Sequence, residues 1–245
     1  MAFSAPEISI VSTVPLVSAT KNTWRTLPLL NAIAFDLDLE NSQKTGFFLD
    51  QKHNRRAVRE LARGRRVLDC FSHVGPFGLN AAAGGAQFAR CVDVSQAAMD
   101  LARENARLNG LEENMGFTCA NVLEYLPRLK RERDFARSEG GPFDLIVLDP
   151  PAFTKSRSTV AHALRGYREI NQAALQLLPR GGYLATCSCS HFMTTPLLKK
   201  AIAEAAHNAN VQLKQVEERQ QAPDHPILWG VPATHYLDFL TFQVV

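Results

Sequence analysis

In the stretch R-V-L-D-C-F-S-H-V-G-P-F-G (66–78) a short apolar run gives way to a turn bearing Gly75 and Gly78. The run reads as a buried strand. Pro76 then opens an Ala-rich helix, at a position where its missing N–H costs nothing. The same strand–turn–helix unit recurs along the chain. A-R-C-V-D-V (89–94) is a second strand, and Ser95 caps a helix that runs to Asn109, with Gly110 after it. G-F-T-C-A (116–120) is a third strand, followed by a helix over 122–133 and a loop at S-E-G-G-P (138–142). F-D-L-I-V-L (143–148) is a fourth strand, ended by Asp149-Pro150-Pro151, with a helix over 163–178. Gly181-Gly182 leads into a fifth strand, Y-L-A-T-C-S-C (183–189), and Thr195-Pro196 starts a helix to His207. Residues 211–217 and 236–245 are the last strands. Such alternation predicts an α/β fold with a doubly wound, mostly parallel sheet.

Upstream, A-F-D-L-D-L (34–39) alternates with period two, Asn41-Ser42 signals a turn, and T-G-F-F-L (45–49) reads as the returning strand of a β-hairpin. Residues 1–30 show no clear period and read as a weakly structured lead-in. A helix follows Asp50 and stops at Gly64. The expected division is therefore a lead-in and hairpin over 1–50 and one large domain over 51–245.

The chain has 245 residues, 46% of them hydrophobic and 21% charged, which is ordinary globular material. No run approaches the about 18 apolar residues of a membrane span. The first residues lack the basic and apolar regions of a signal peptide. A cytoplasmic protein is expected. The five cysteines are an odd number with no C-x-x-C, so a disulfide framework is not expected. The net charge of +3 is small, but Lys52 to Arg66 holds seven Lys or Arg against one acid, Glu60. A second basic cluster comprises Arg128, Lys130, Arg131 and Arg133. Each is either a solvated helix face or a phosphate-facing surface.

In a doubly wound sheet the ligand sits beyond the carboxyl ends of the strands. Strand one ends in D-C-F-S-H-V-G-P-F-G (69–78), which is not the G-x-G-x-x-G dinucleotide fingerprint, so a nicotinamide or flavin cofactor is disfavoured. Strand two ends at Asp93, 24 residues after Asp69, where an acid can accept hydrogen bonds from both ribose hydroxyls. These features suggest an adenosine-type ligand without a pyrophosphate, which S-adenosylmethionine fits. Strand four ends in D-P-P-A-F (149–153), whose prolines make a rigid ledge at Pro150 and whose Phe153 can stack on a flat base.

From about Phe35 onward the chain resembles the class I S-adenosylmethionine-dependent RNA methyltransferases of the large-subunit ribosomal RNA (cytosine-5) methyltransferase I type. The matching stretches are Q-K-T-G-F-F-L-D-Q (43–51), V-L-D-C-F-S (67–72), V-D-V-S-Q-A-A (92–98), D-P-P-A-F (149–153), R-G-Y-R-E-I-N (165–171), S-C-S-H-F-M-T (188–194) and D-H-P (224–226). The resemblance implies a Rossmann-like, seven-stranded sheet with an antiparallel last strand, S-adenosylmethionine as cofactor, and an RNA substrate, ribosomal by family. It implies cofactor contacts at Gln51, Arg55, Phe71, Ser72, Gly75, Asp93, Asn121 and Asp149. Two positions depart from the family: Pro76 stands where a glycine is common, and Asn121 where an acid often meets the adenine amine. Asn can make that contact through its side-chain oxygen. Relatives also carry an N-terminal PUA-type RNA-binding domain and a linking domain, and residues 1–30 are too short to hold either.

Cys187 and Cys189 close the fifth strand. Four readings apply to them: disulfide, half a metal site, core packing or nucleophile. Together with His191 they would supply three zinc ligands on one face, but no clear fourth is present, so no metal is expected. Carbon 5 of a pyrimidine is a poor nucleophile, and a thiolate adding to carbon 6 makes it enamine-like. Cys189 matches the family position in S-C-S and is the expected nucleophile; Cys187 is expected to be packing. Asp149, Asp224 and His225 are candidate bases. The rival readings are methylation of a base nitrogen or of a non-RNA substrate with structural cysteines, and a non-catalytic RNA-binding protein that keeps the cofactor pocket.

Overall fold

The structure, a computed structural model, describes residues 25–26, 29–38, 47–154 and 156–245. Four short strands come first: β1 (Arg25–Thr26), β2 (Leu29–Leu30), β3 (Ile33–Ala34) and β4 (Leu37–Asp38). β2 pairs with β3 and β1 with β4, both antiparallel. A hairpin does precede the main sheet, but its return lies upstream of where the sequence pattern put it. The turn is Asn31-Ala32, with φ of 54° and 59° at the two residues. Two consecutive positive φ values make the mirror-image turn that suits strand twist. Asn-Ala carries no glycine to advertise it, so residues 25–30 read as lead-in. The expected Asn41-Ser42 turn and Thr45 lie outside the described residues. Phe47–Leu49 form no strand; Leu49–Gln51 is a 3₁₀ turn running into the first helix.

The remaining elements are α1 (Lys52–Leu61), β5 (Arg66–Cys70), α2 (Pro76–Ala83), β6 (Phe88–Asp93), α3 (Gln96–Leu108), β7 (Met115–Cys119), α4 (Val122–Arg131), α5 (Arg133–Ser138), β8 (Leu145–Leu148), α6 (Val160–Leu175), β9 (Tyr183–Ser188), α7 (Thr195–Ala209), β10 (Leu213–Gln220) and β11 (Asp238–Val244). The seven-stranded sheet has the order β10-β11-β9-β8-β5-β6-β7. β5, β6, β7, β8 and β9 are parallel, and β11 runs antiparallel to both its neighbours. The helix expected over 122–133 is α4, which stops at Arg131 because Glu132 adopts an extended backbone; the separate α5 follows it.

The two sheet faces build two cores. Val67, Leu145, Val147, Ala185 and Cys187 join a cluster with Val58, Phe77 and Met99 of α1–α3, and with Ile33, Phe35, Leu37 and Phe47. Leu68, Ile146, Leu148 and Leu184 join the opposite cluster with Leu126, Tyr167 and Ile202 of α4, α6 and α7. Neighbouring residues alternate between the faces because strand side chains have period two. Both faces are covered, which is why these strands are continuous apolar runs. Asp69 and Asp149 follow the odd-numbered phase, so they fall on the α1–α2 face at the carboxyl end of the sheet.

The basic run from Lys52 to Arg66 is mostly spent inside the fold. Arg55 is 2% exposed, Arg59 donates to the Asn31 carbonyl, and Arg65 and Arg66 donate to the Leu61 and Gly140 carbonyls. Arg65 lies over Tyr183 and Arg66 over Phe88. In the second cluster, Arg128 pairs with Glu132 and covers Phe135, and Lys130 donates to Gln176.

Candidate active site

β5 and β8 are neighbours whose following segments leave to opposite faces, the switch point where such sheets bind ligands. After β5 the chain turns through Phe71, Ser72 and His73, with positive φ at Phe71 (60°) and His73 (48°). Gly75 follows at φ 78°, a conformation that favours glycine, and donates to the Ser72 carbonyl at 2.8 Å. Gly78 lets α2 come close: a Cβ there would stand 2.4 Å from the Cys91 sulfur. Its N–H donates to Asp69 Oδ2 at 2.8 Å.

Asp93, at the end of β6, clamps this turn to the next helix. Its Oδ2 accepts from the His73 N–H at 2.9 Å and its Oδ1 from the Ser95 N–H at 3.0 Å. Ser95 caps α3 by accepting from the Ala98 N–H, so Asp93 is not needed as the cap. Each carboxylate oxygen keeps acceptor capacity for a further donor. Asn121 is exposed at the end of the third parallel strand's turn and caps α4 with its side-chain oxygen, which accepts from the Leu123 N–H at 3.1 Å.

The register Leu148↔Thr186 sets Asp149 beside Cys187. Gln51 Nε2 donates to Asp149 Oδ1 at 3.1 Å, and Gln51 in turn accepts from Asn54 at 2.7 Å. Cys187 is fully buried and donates its thiol to Asp149; burial first, then the nearby Asp149 charge, raises that thiol well above its ordinary range. Arg55 approaches from α1, its guanidinium 4.4 Å from the Phe47 ring centroid. Its Nε and Nη1 are buried without a hydrogen-bond partner, and burial lowers its pKa to about 10, so it stays charged at neutral pH. Burial raises Asp149 to about 6 against the pull of Arg55, and raises the fully buried Asp69 to about 8. Asp69 Oδ1 has no hydrogen-bond partner. Asp69 is not legible as a site residue from pattern alone, since a strand acid with one buried orphan oxygen looks like any other polar residue in sequence.

Cys189 stands just past β9, exposed, with its sulfur 3.8 Å from the Pro150 carbonyl oxygen. The D-P-P-A-F ledge and the S-C-S segment are thus brought together, as their strand-end positions required. Phe153 is half-buried, its ring 4.9 Å from the Tyr167 ring and tight against Gly166. Tyr167 donates to Ser188 at 3.0 Å, which ties α6 to the end of β9. Asp224 is engaged elsewhere: Lys52 Nζ lies 2.7 Å from its Oδ2 and His225 Nδ1 3.2 Å from its Oδ1. Burial opposes ionisation of Asp224, but these two hydrogen bonds outweigh it and hold the carboxyl below the usual range. Among the described residues, no group of three or more His, Cys, Asp or Glu side chains is placed to hold a metal ion. Among the same residues, no helix is long and apolar enough to cross a membrane.

Residues 12–239 match the family model described as S-adenosylmethionine-dependent methyltransferase. The chain belongs to that family. Curated relatives include the ribosomal RNA large subunit methyltransferase I of Erwinia tasmaniensis, 41% identical over 85% of this chain and 51% of that protein. Those of Aeromonas hydrophila and Shewanella frigidimarina are 45% and 39% identical, over 84% and 94% of this chain and 51% and 57% of the relatives. The chain therefore spans about half the length of the curated relatives it matches. The fold is shared with a candidate methyltransferase crystallised with SAH (TM-score 0.78, 24% identity, 93% of this chain and 58% of that one). It is also shared with a candidate S-adenosylmethionine-dependent methyltransferase from Streptococcus mutans (TM-score 0.77, 24% identity, 93% and 57%). The residues at the switch point of this family member fit the family's cofactor. Arg55 offers two unpartnered buried N–H groups to an anionic group, and the nearby Asp50 and Asp149 carboxyls suit a cationic one.

Proposed function

We propose that this chain methylates carbon 5 of a cytosine in RNA, with ribosomal RNA as the substrate and Cys189 as the nucleophile. The observation that carries the reading is the Cys189 sulfur standing exposed, 3.8 Å from the Pro150 carbonyl at the end of the Asp149 ledge. The RNA substrate is supported by relatives named for ribosomal RNA large subunit methylation.

Asp93 would take the ribose hydroxyls of the cofactor, Asn121 the adenine amine and Arg55 the carboxylate, with Gln51, Phe71, Ser72 and Gly75 shaping the same cleft. S-adenosylmethionine, when bound, supplies an electrophilic methyl group to carbon 5 of the base, its sulfur leaving with the carbon–sulfur electron pair. The protein's part begins at Cys189. Exposed to solvent, its thiol gives its proton to water, after which the sulfur bonds carbon 6 of the pyrimidine and pushes the 5,6 double-bond electrons onto carbon 5. Once carbon 5 is methylated, a base removes its remaining proton; the electrons restore the double bond and expel the Cys189 thiolate. Asp149 fits this base role best, because a carboxyl titrating at about 6 is ionised at neutral pH yet basic enough to take a proton. Asp224, held low by Lys52 and His225, is a weaker base, and the two act in this reading by fixing their loop to α1. Phe153, braced by Tyr167, lines the wall on which the target base lies, and Pro150, which is buried, supports that wall from behind.

Tritium-methyl transfer to purified ribosomal RNA, followed by nucleoside analysis, tests the reading. Labelled 5-methylcytidine is the expected product. A labelled N-methyl base would leave the cysteines structural, and no transfer to any RNA would leave a binding protein or a different substrate.

A further inference from the structure

We infer that the cavity between the loop after β9 and the segment entering β11 is a subsite for the base of a nucleotide next to the target in the RNA. The inference rests on the RNA reading above. The cavity has a volume of about 620 Å³, and its lining includes His191, Phe192, Thr195, Pro232, His235 and Asp238. Pockets for small organic ligands span roughly 300–1,000 Å³, so one nucleotide fits. Ser188 of β9 pairs with Asp238 of β11, so the cavity opens at the carboxyl end of β9 and begins two residues beyond Cys189. In this reading, a strand of RNA that lays its target base against Cys189 carries a neighbouring nucleotide past this opening.

The chemistry of the walls favours a base over a phosphate. The rings of His191 and Phe192 overlap each other, centroids 3.9 Å apart and tilted by 39°, which leaves the outer face of the pair for a third ring. His191 is exposed and Phe192 half-buried, so both can offer ring surface to a stacked base. The floor holds a buried carboxyl: Asp238 Oδ1 accepts from Thr195 Oγ1 at 2.7 Å and lies 3.4 Å from His235 Nε2. An acid at the floor repels a phosphate, whereas the donors on a base edge suit it. None of these groups belongs to the cofactor cleft at the β5–β8 switch point.

The test measures binding of fluorescein-labelled ten-nucleotide oligo(rC) and oligo(rA) by anisotropy, with SAH binding by calorimetry run on the same samples. Phe192→Ala should weaken oligonucleotide binding at least about fivefold, the low end of what stacking of one base is worth. Phe192→Tyr should stay within about twofold of the parent chain, and SAH binding should not change in either. His191→Ala, at an exposed position, should weaken RNA binding in the same direction and decides the matter if Phe192→Ala loses SAH binding through misfolding. Parent-like RNA binding by His191→Ala and by a folded Phe192→Ala would overturn the subsite alone. If the parent chain binds neither oligonucleotide nor ribosomal RNA, the RNA reading falls and takes the subsite with it.

Discussion

Cys187 and Cys189 are separated by one residue, yet they belong to different regions. Cys187 is enclosed on the α1–α2 face, packed with Phe77 and Phe239 and donating its thiol to Asp149. Cys189 lies past the last strand residue, in contact with the D-P-P ledge and open to solvent. Burial penalises the thiolate at Cys187 and leaves it a neutral donor. The difference teaches that thiol chemistry here is set by where the strand stops: one residue of β9 separates a group that positions a carboxylate from one that can meet a substrate.

Substitutions at the two sites sharpen that contrast most. Cys189→Ala is expected to lower methyl transfer by more than about a thousandfold, as loss of a covalent nucleophile does, with SAH affinity unchanged by calorimetry. Cys187→Ala is expected to keep transfer within about tenfold, because it touches only the group that holds Asp149. A reversal of the two outcomes would exchange their roles. Asp93→Ala comes next in size. Loss of charge-assisted hydrogen bonds to ribose hydroxyls should weaken SAH binding by roughly tenfold or more in the same calorimeter, at about 1.5 kcal/mol or more.

Cys187→Ala should also move a pH profile. The Cys187 thiol lowers Asp149, whose carboxyl sits at about 6, so removing the donor raises that carboxyl further. The acid limb of transfer, measured as rate against pH, should shift upward in Cys187→Ala; an unmoved limb would mean that another group is the base. Losing the buried sulfur and its hydrogen bond should cost about 1–2 kcal/mol of stability, read from thermal or urea unfolding.

The smallest effect concerns Asp69. Its folded carboxyl is raised to about 8, against about 4 in an unfolded chain, so between those values the folded protein holds one more proton. Stability carried by this group therefore falls as pH rises from about 4 to 8. Asp69→Asn removes that slope. Its melting temperature relative to the parent should climb between pH 5 and pH 8.5, and a constant difference would show that Asp69 is not protonated in the folded chain.

Much of this was legible in the sequence, and the parts that were not have physical reasons. The strands and their ends could be read because buried parallel strands are apolar runs punctuated by glycine and proline, and those ends carry Asp93, Asp149 and Cys189. The role of Cys187 could not, since it depends on the register Leu148↔Thr186, a pairing between segments far apart in the chain. Arg55 sits in a run that looks like a solvated basic face, and only the packing of α1 against Phe47 and Phe77 shows it buried. The hairpin was displaced because its turn residues, Asn31-Ala32, lack the glycine that marks such turns. Asp224 and His225 read as titratable neighbours, but Lys52 is too distant in sequence for the ion pair with Asp224 to be legible.

The central claim, that Cys189 bonds the base, has a direct measurement. In RNA made with 5-fluorocytidine the atom on carbon 5 cannot leave as a proton does, so a thioether at carbon 6 persists once carbon 5 is methylated. With S-adenosylmethionine present, the parent chain and Cys187→Ala should give a protein–RNA adduct that survives a denaturing gel, and Cys189→Ala should give none. No adduct with the parent chain on RNA that it methylates, or an adduct formed by Cys189→Ala, would contradict the account.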